Sequence, residues 1–160
     1  MSALEKSFEK ELAACLFFFF CFYVGAEMVF SNFIYSFGIC HLQMSRDRAT
    51  MLTSLFWLFF TIFRFLSAVQ ARYMKPKTML WTSLFGCLIT TTIMLITKIE
   101  TIIYICVAIF GGSMSNCFAT GFLYAQNFLE VSGKLASIFV FGGGLGWAGM
   151  PTVAGFVLEG

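Results

Sequence analysis

Leu12–Cys40 reads LAACLFFFFCFYVGAEMVFSNFIYSFGIC, and its length and polarity decide the fold class. The run is longer than the about 20 apolar residues that a helix needs to cross the hydrocarbon of a bilayer. One acidic residue, Glu27, stands in its middle. A carboxylate at that depth is costly unless it is protonated, paired or wetted, so the default reading of such a group is functional.

Four further apolar runs follow. The spans are expected at 12–40, 51–71, 79–96, 102–129 and 135–158, joined by short polar turns, with residues 1–11 as a loop end or amphipathic lead-in. The chain is 59% hydrophobic and 11% charged, against about 25% charged in soluble domains. The fold class is therefore all-α, a polytopic bundle of five membrane helices in a lipid bilayer. The turns are too short to hold another domain, so neighbouring helices run antiparallel. The scattered basic residues form no nucleic-acid patch. The six cysteines fit neither a disulfide framework nor a zinc site, and no metal site is expected. HExxH and GxSxG are absent and His41 stands alone, so the chain does not read as an enzyme.

Orientation follows from Lys and Arg in the turns. With the N-terminus in the cytoplasm, Lys6, Lys10, Arg72, Lys75, Lys77 and Lys134 lie inside, and Arg46, Arg48 and Lys98 outside.

The polar residues inside the spans are the candidate site. Tyr23, Glu27, Ser31 and Tyr35 recur every four residues, and Gly38 follows three later. That spacing makes one helix stripe, read as a wall of an aqueous pathway with a carboxylate for a cation, a proton or a hydroxyl. Arg64 is the one charge inside the second run. The stretch from Glu27 to Cys40 is as long as the stretch from Met51 to Arg64. Counted from a linker at 41–50, both charges sit about 20 Å from one membrane face, which suggests a structural ion pair. Ser113, Asn116, Thr120, Tyr124 and Asn127 form a polar ribbon on the fourth run, to be turned from lipid. Amides and hydroxyls of this kind suit a sugar, although hydrogen bonds between helices use the same groups.

The fifth run carries FGGGLGWAGMP at 141–151. Gly144-x-Gly146-x-x-Gly149 has the form of a dinucleotide turn, but that motif needs a surrounding βαβ unit. Close helix packing through Gly142 and Gly146, with a hinge through Gly149 toward Pro151, is the expected use. Trp147 beside it offers a face for stacking on a sugar ring.

These residues resemble the second half of a major facilitator superfamily transporter, and more narrowly the branch of sodium-dependent glucose transporter 1 and the fucose permeases. The resemblance rests on Tyr23-Val24-Gly25-Ala26-Glu27, Phe56-Trp57, Phe63-Arg64 and the Gly142–Pro151 stretch. A degenerate form of the superfamily loop motif follows. Ser67 stands for its glycine and Ala71 for its aspartate, while Arg72 keeps its arginine, with Lys75 and Lys77 behind. The resemblance implies that 1–160 is a partial C-terminal half, with helices seven to eleven of a twelve-helix fold. A six-helix N-terminal half is then the missing partner, and a chain of this extent is expected to be inactive alone. It further implies alternating-access transport of a small polar solute, a hexose-like sugar, with sodium or a proton as coupling ion, no other cofactor, and a plasma-membrane location. The pathway residues are then Glu27, Ser31, Tyr35, Arg64, Asn116, Thr120 and Trp147. The competing reading is a non-transporting five-span structural or assembly protein.

Overall fold

A computed structural model describes residues 3–129 and 132–159, with side chains over 7–129 and 132–157. The described residues form five helices: α1 (Ala3–Cys40), α2 (Arg46–Tyr73), α3 (Pro76–Ile96), α4 (Glu100–Gln126) and α5 (Gly133–Glu159). Each is long and apolar enough to cross a membrane. At about 1.5 Å per residue the shortest, α3, is about 32 Å long, close to the about 30 Å of a hydrocarbon core.

The helices extend past the expected spans, and the reason is visible at each end. Charged side chains count as loop in a hydropathy reading, yet a helix continues through them where their heads reach water. Thus α1 begins at Ala3 and takes in the expected lead-in, and α2 begins at Arg46, with Asp47 in its first turn. An acid there suits the helix dipole. The α1–α2 linker shrinks from the expected 41–50 to 41–45. Gln43 turns it in the left-handed region at φ 53°, and Met44 N–H closes it on the Gly38 carbonyl at 3.0 Å. This corrects the linker count. Arg64 stands further from the start of α2 at Arg46 than Glu27 stands from the end of α1 at Cys40, so the two counts no longer match. Pro76 occupies the first turn of α3, where its missing N–H goes unmissed. In the expected turn at 130–134, Glu130 and Val131 lie outside the described residues.

The helices group into two compact units, 1–29 with 121–160, and 30–120. In the first unit α1 and α5 meet through glycine. A Cβ on Gly146 would overlap the carbonyl of Cys21, and one on Gly142 would lie 2.9 Å from the carbonyl of Phe17. Small residues let membrane helices approach backbone to backbone. Phe20, fully buried, packs on Phe122 and Phe139 at 4.9 and 5.4 Å between ring centroids. Pro151 lies inside α5; it has no N–H for the carbonyl one turn earlier.

In the second unit α4 is the central helix, buried from Ile103 to Cys117 on most sides. A helix that carries a polar ribbon through a bilayer belongs in such a position, with the ribbon turned from lipid. Phe30 stacks on Phe110 at 4.0 Å and meets Phe56 at 5.2 Å. A Cβ on Gly111 would lie 2.7 Å from the Phe56 carbonyl, so α2 and α4 also touch at backbone level. Arg48 bridges Glu100 at 2.9 Å, and Tyr104 donates to the Arg48 carbonyl at 3.1 Å. Both charges are exposed, and such pairs contribute about 0–1 kcal/mol. Arg48→Ala is expected to change thermal stability in detergent by no more than that; a loss of several kcal/mol would show that the pair is a structural lock.

Leu58, Phe65, Phe85, Leu88 and Leu95 are among the large apolar side chains left exposed. In water such a surface would demand a partner. Against acyl chains it is the ordinary outer face of a membrane bundle.

Candidate functional site

The α1 stripe is mostly buried. Tyr23 is 7% exposed, Glu27 8% and Ser31 5%, while Tyr35 opens to 37%. The helical period explains the alignment of the first three, since a residue every fourth position drifts only slowly around the axis. Tyr23 and Glu27 belong to the first unit, Ser31 and Tyr35 to the second. A buried carboxylate on a helix that crosses a membrane is a group whose charge or proton must be accounted for by its surroundings.

Arg64 belongs to the second unit. It is exposed, and its guanidinium lies over the rings of Phe60 at 4.8 Å and Phe118 at 5.5 Å. Trp57, Thr61 and Ala68 share its side of α2 and are exposed with it. Cation–π contacts of this kind orient a guanidinium without neutralising it.

On α4, Asn116 and Thr120 sit one turn apart, 8% and 0% exposed. The Asn116 amide Nδ2 donates to Gln70 Oε1 on α2 at 3.2 Å. Among the described residues, Asn116 Oδ1 and Thr120 Oγ1 are buried without a hydrogen-bond partner. Gln70 was not among the residues that the sequence singled out. Its signal was there: an amide inside an apolar run invites the same question as Asn116, but only the packing of α2 on α4 joins the two. Elsewhere on the ribbon, Tyr124 packs its ring on Phe128 at 5.1 Å. The threonines of α3 turn inward on their own helix: Thr90 donates to the Gly86 carbonyl at 2.7 Å and Thr92 to the Leu88 carbonyl at 2.8 Å.

Trp147 is 58% exposed on α5. Gly142 and Gly146 lie against α1, whereas Gly149 has open space where a Cβ would stand. The glycine stretch thus has a packed side and a free side, and Trp147 follows directly after the packed Gly146.

Over 159 residues the chain is 33% identical to sodium-dependent glucose transporter 1A of Mus musculus, covering 99% of this chain and 37% of that protein. Sodium-dependent glucose transporter 1 of Homo sapiens is 33% identical over 157 residues, 98% of this chain and 30% of that protein. Major facilitator superfamily domain-containing protein 4A of Mus musculus is 28% identical over 137 residues, 84% of this chain and 27% of that protein. The chain therefore spans only 27–37% of the length of these relatives. No protein-family model matches it. No solved structure matches it.

Proposed function

We propose, from its relationship to the sodium-dependent glucose transporter 1 branch of the major facilitator superfamily, that this chain is the solute-handling part of a secondary or facilitated transporter. The solute is a small polar molecule of the hexose class, and sodium or a proton is the coupling ion. The observation that carries the reading is the buried carboxylate of Glu27 in a membrane helix. Tyr23 and Ser31 flank it on the same stripe, and Asn116, Thr120 and Trp147 supply amide, hydroxyl and ring surface on α4 and α5. Tyr35 and Arg64 complete the proposed pathway. Such groups match what a sugar presents: many hydroxyls, each donor and acceptor, around apolar C–H faces.

The test is a chimaera. This chain replaces the matching stretch of the mouse sodium-dependent glucose transporter 1A, and labelled glucose uptake is measured in cells at matched surface expression. Uptake above that of the same relative with the stretch deleted is the expected result. A well-expressed chimaera without uptake would favour a structural or assembly role.

We further propose that the N-terminus and the α2–α3 and α4–α5 turns face the cytoplasm, in a complete transporter at the plasma membrane. The excess of Lys and Arg supports this, as does a cleft lined by both Lys10 and Lys134, which puts the start of α1 and of α5 at one end of their unit. Single cysteines at Lys75 and Lys134, in a cysteine-free chain, should resist an impermeant maleimide in intact cells. Cysteines at Ser45 and Lys98 should react. The opposite pattern would invert the topology.

A further inference from the structure

The α2–α3 turn carries three cations, Arg72, Lys75 and Lys77, all exposed. Residues 30–120, the whole of their unit, contain only two acids, Asp47 and Glu100. Those stand at the starts of α2 and α4, and so at the opposite end of the helices from this turn. There Arg48 is already bridged to Glu100. Two helix ends meet at the turn, the C-terminus of α2 and the N-terminus of α3, and their opposite dipoles largely offset one another. The three side chains therefore set the sign of this end of the unit.

An apolar track leads from the cations into the membrane. Trp81 stands one turn beyond Lys77 on α3 and stacks on Phe85 at 5.6 Å between ring centroids. Trp81, Phe85 and Leu88 are each more than half exposed. From Lys77 to Leu88 is about 17 Å along a helix, close to the depth of one leaflet's acyl chains in an about 30 Å core. Tyr73 follows Arg72 directly and is 84% exposed, and aromatic rings of this kind settle at headgroup level. A free anion or an acidic peptide would use the cations alone. A molecule with a negative head and a long apolar tail uses both parts.

We propose that the α2–α3 turn, with the face of α3 from Lys77 to Leu88, is a binding site for one anionic phospholipid. Arg72, Lys75 and Lys77 hold the phosphate and head carboxylate of a lipid such as phosphatidylserine, and an acyl chain lies along Trp81, Phe85 and Leu88. A cation near the membrane surface favours an anionic over a neutral lipid by about fivefold. The site shares no residue with the proposed solute pathway. It rests neither on transport nor on which face is cytoplasmic.

Quenching of Trp81 fluorescence by brominated lipid tests it. The full chain with Trp57→Phe and Trp147→Phe keeps Trp81 as its single tryptophan. It is reconstituted in phosphatidylcholine with either brominated phosphatidylserine or brominated phosphatidylcholine at equal mole fraction. The serine lipid should occupy the place beside Trp81 at least about fivefold more readily. Lys75→Gln with Lys77→Gln should bring it near the level of the choline lipid. Quenching by the choline lipid itself should stay unchanged, which shows that the variant is folded with Trp81 still facing lipid. Ile99, 59% exposed, lies at the other end of the unit, where acids accompany the cations. Ile99→Trp, in a chain that also carries Trp81→Phe, should show no preference between the lipids. Glycerophosphoserine in excess, the head without its acyl chains, should not restore Trp81 fluorescence. Equal quenching of Trp81 by the two lipids, a preference that survives the lysine changes, the same preference at position 99, or recovery with glycerophosphoserine would each overturn the proposal. The lipid comparison and the control at position 99 need no lysine variant, and none of these readouts requires uptake.

Discussion

Gly146→Ala is expected to destabilise the chain by about 1–3 kcal/mol, although it adds a single methyl and raises helix propensity. The added Cβ would overlap the carbonyl of Cys21. That obstacle is backbone, so no rotamer change relieves it; α5 must move away from α1 instead. The move would also loosen the contact one turn away, where a Cβ on Gly142 already meets the Phe17 ring at 2.8 Å. Membrane helices gain little from burying apolar surface, because lipid is as apolar as the neighbouring helix. Their association rests on close packing, and a gap forfeits it. Gly149→Ala is the control. Nothing lies within 4 Å of a Cβ there, so the same substitution should be neutral or stabilising by up to about 1 kcal/mol. Thermal unfolding of the two variants in one detergent reads the contrast. Equal effects would mean that α1 and α5 do not meet through Gly146.

The five helices were legible because each apolar run is long and each turn is short. Their ends were less so. Hydropathy placed Arg46, Asp47 and Arg48 in a linker, whereas the backbone is already helical there and only the side chains need water. That error mattered, because the equal depth of Glu27 and Arg64 rested on the linker's length. The glycine pair was legible as a packing face, since small residues four apart have few other uses in a membrane helix. What it packs on was not: Cys21 and Phe17 are ordinary apolar residues, and only the fold brings their carbonyls to the glycines. Periodicity also grouped Arg64 with Trp57, Thr61 and Ala68 without indicating whether their face is covered or open. The Asn116–Gln70 bond joins residues 46 apart in sequence, a pairing on which helical spacing within either run is silent.

Glu27→Gln carries the largest expected functional effect. The change keeps the size of the side chain, removes the charge and turns one acceptor oxygen into an N–H₂ donor. A hydrogen bond to a charged group contributes about 1.5–3 kcal/mol, so uptake should fall by about 10- to 100-fold if the carboxylate holds solute or coupling ion. The central claim is that Glu27 serves the solute pathway and not merely the fold. It is tested most directly by glucose uptake of the chimaera with and without Glu27→Gln, normalised to folded protein at the surface. The account predicts uptake reduced by at least about tenfold with surface protein unchanged. Normalised uptake equal to that of the parent would contradict it.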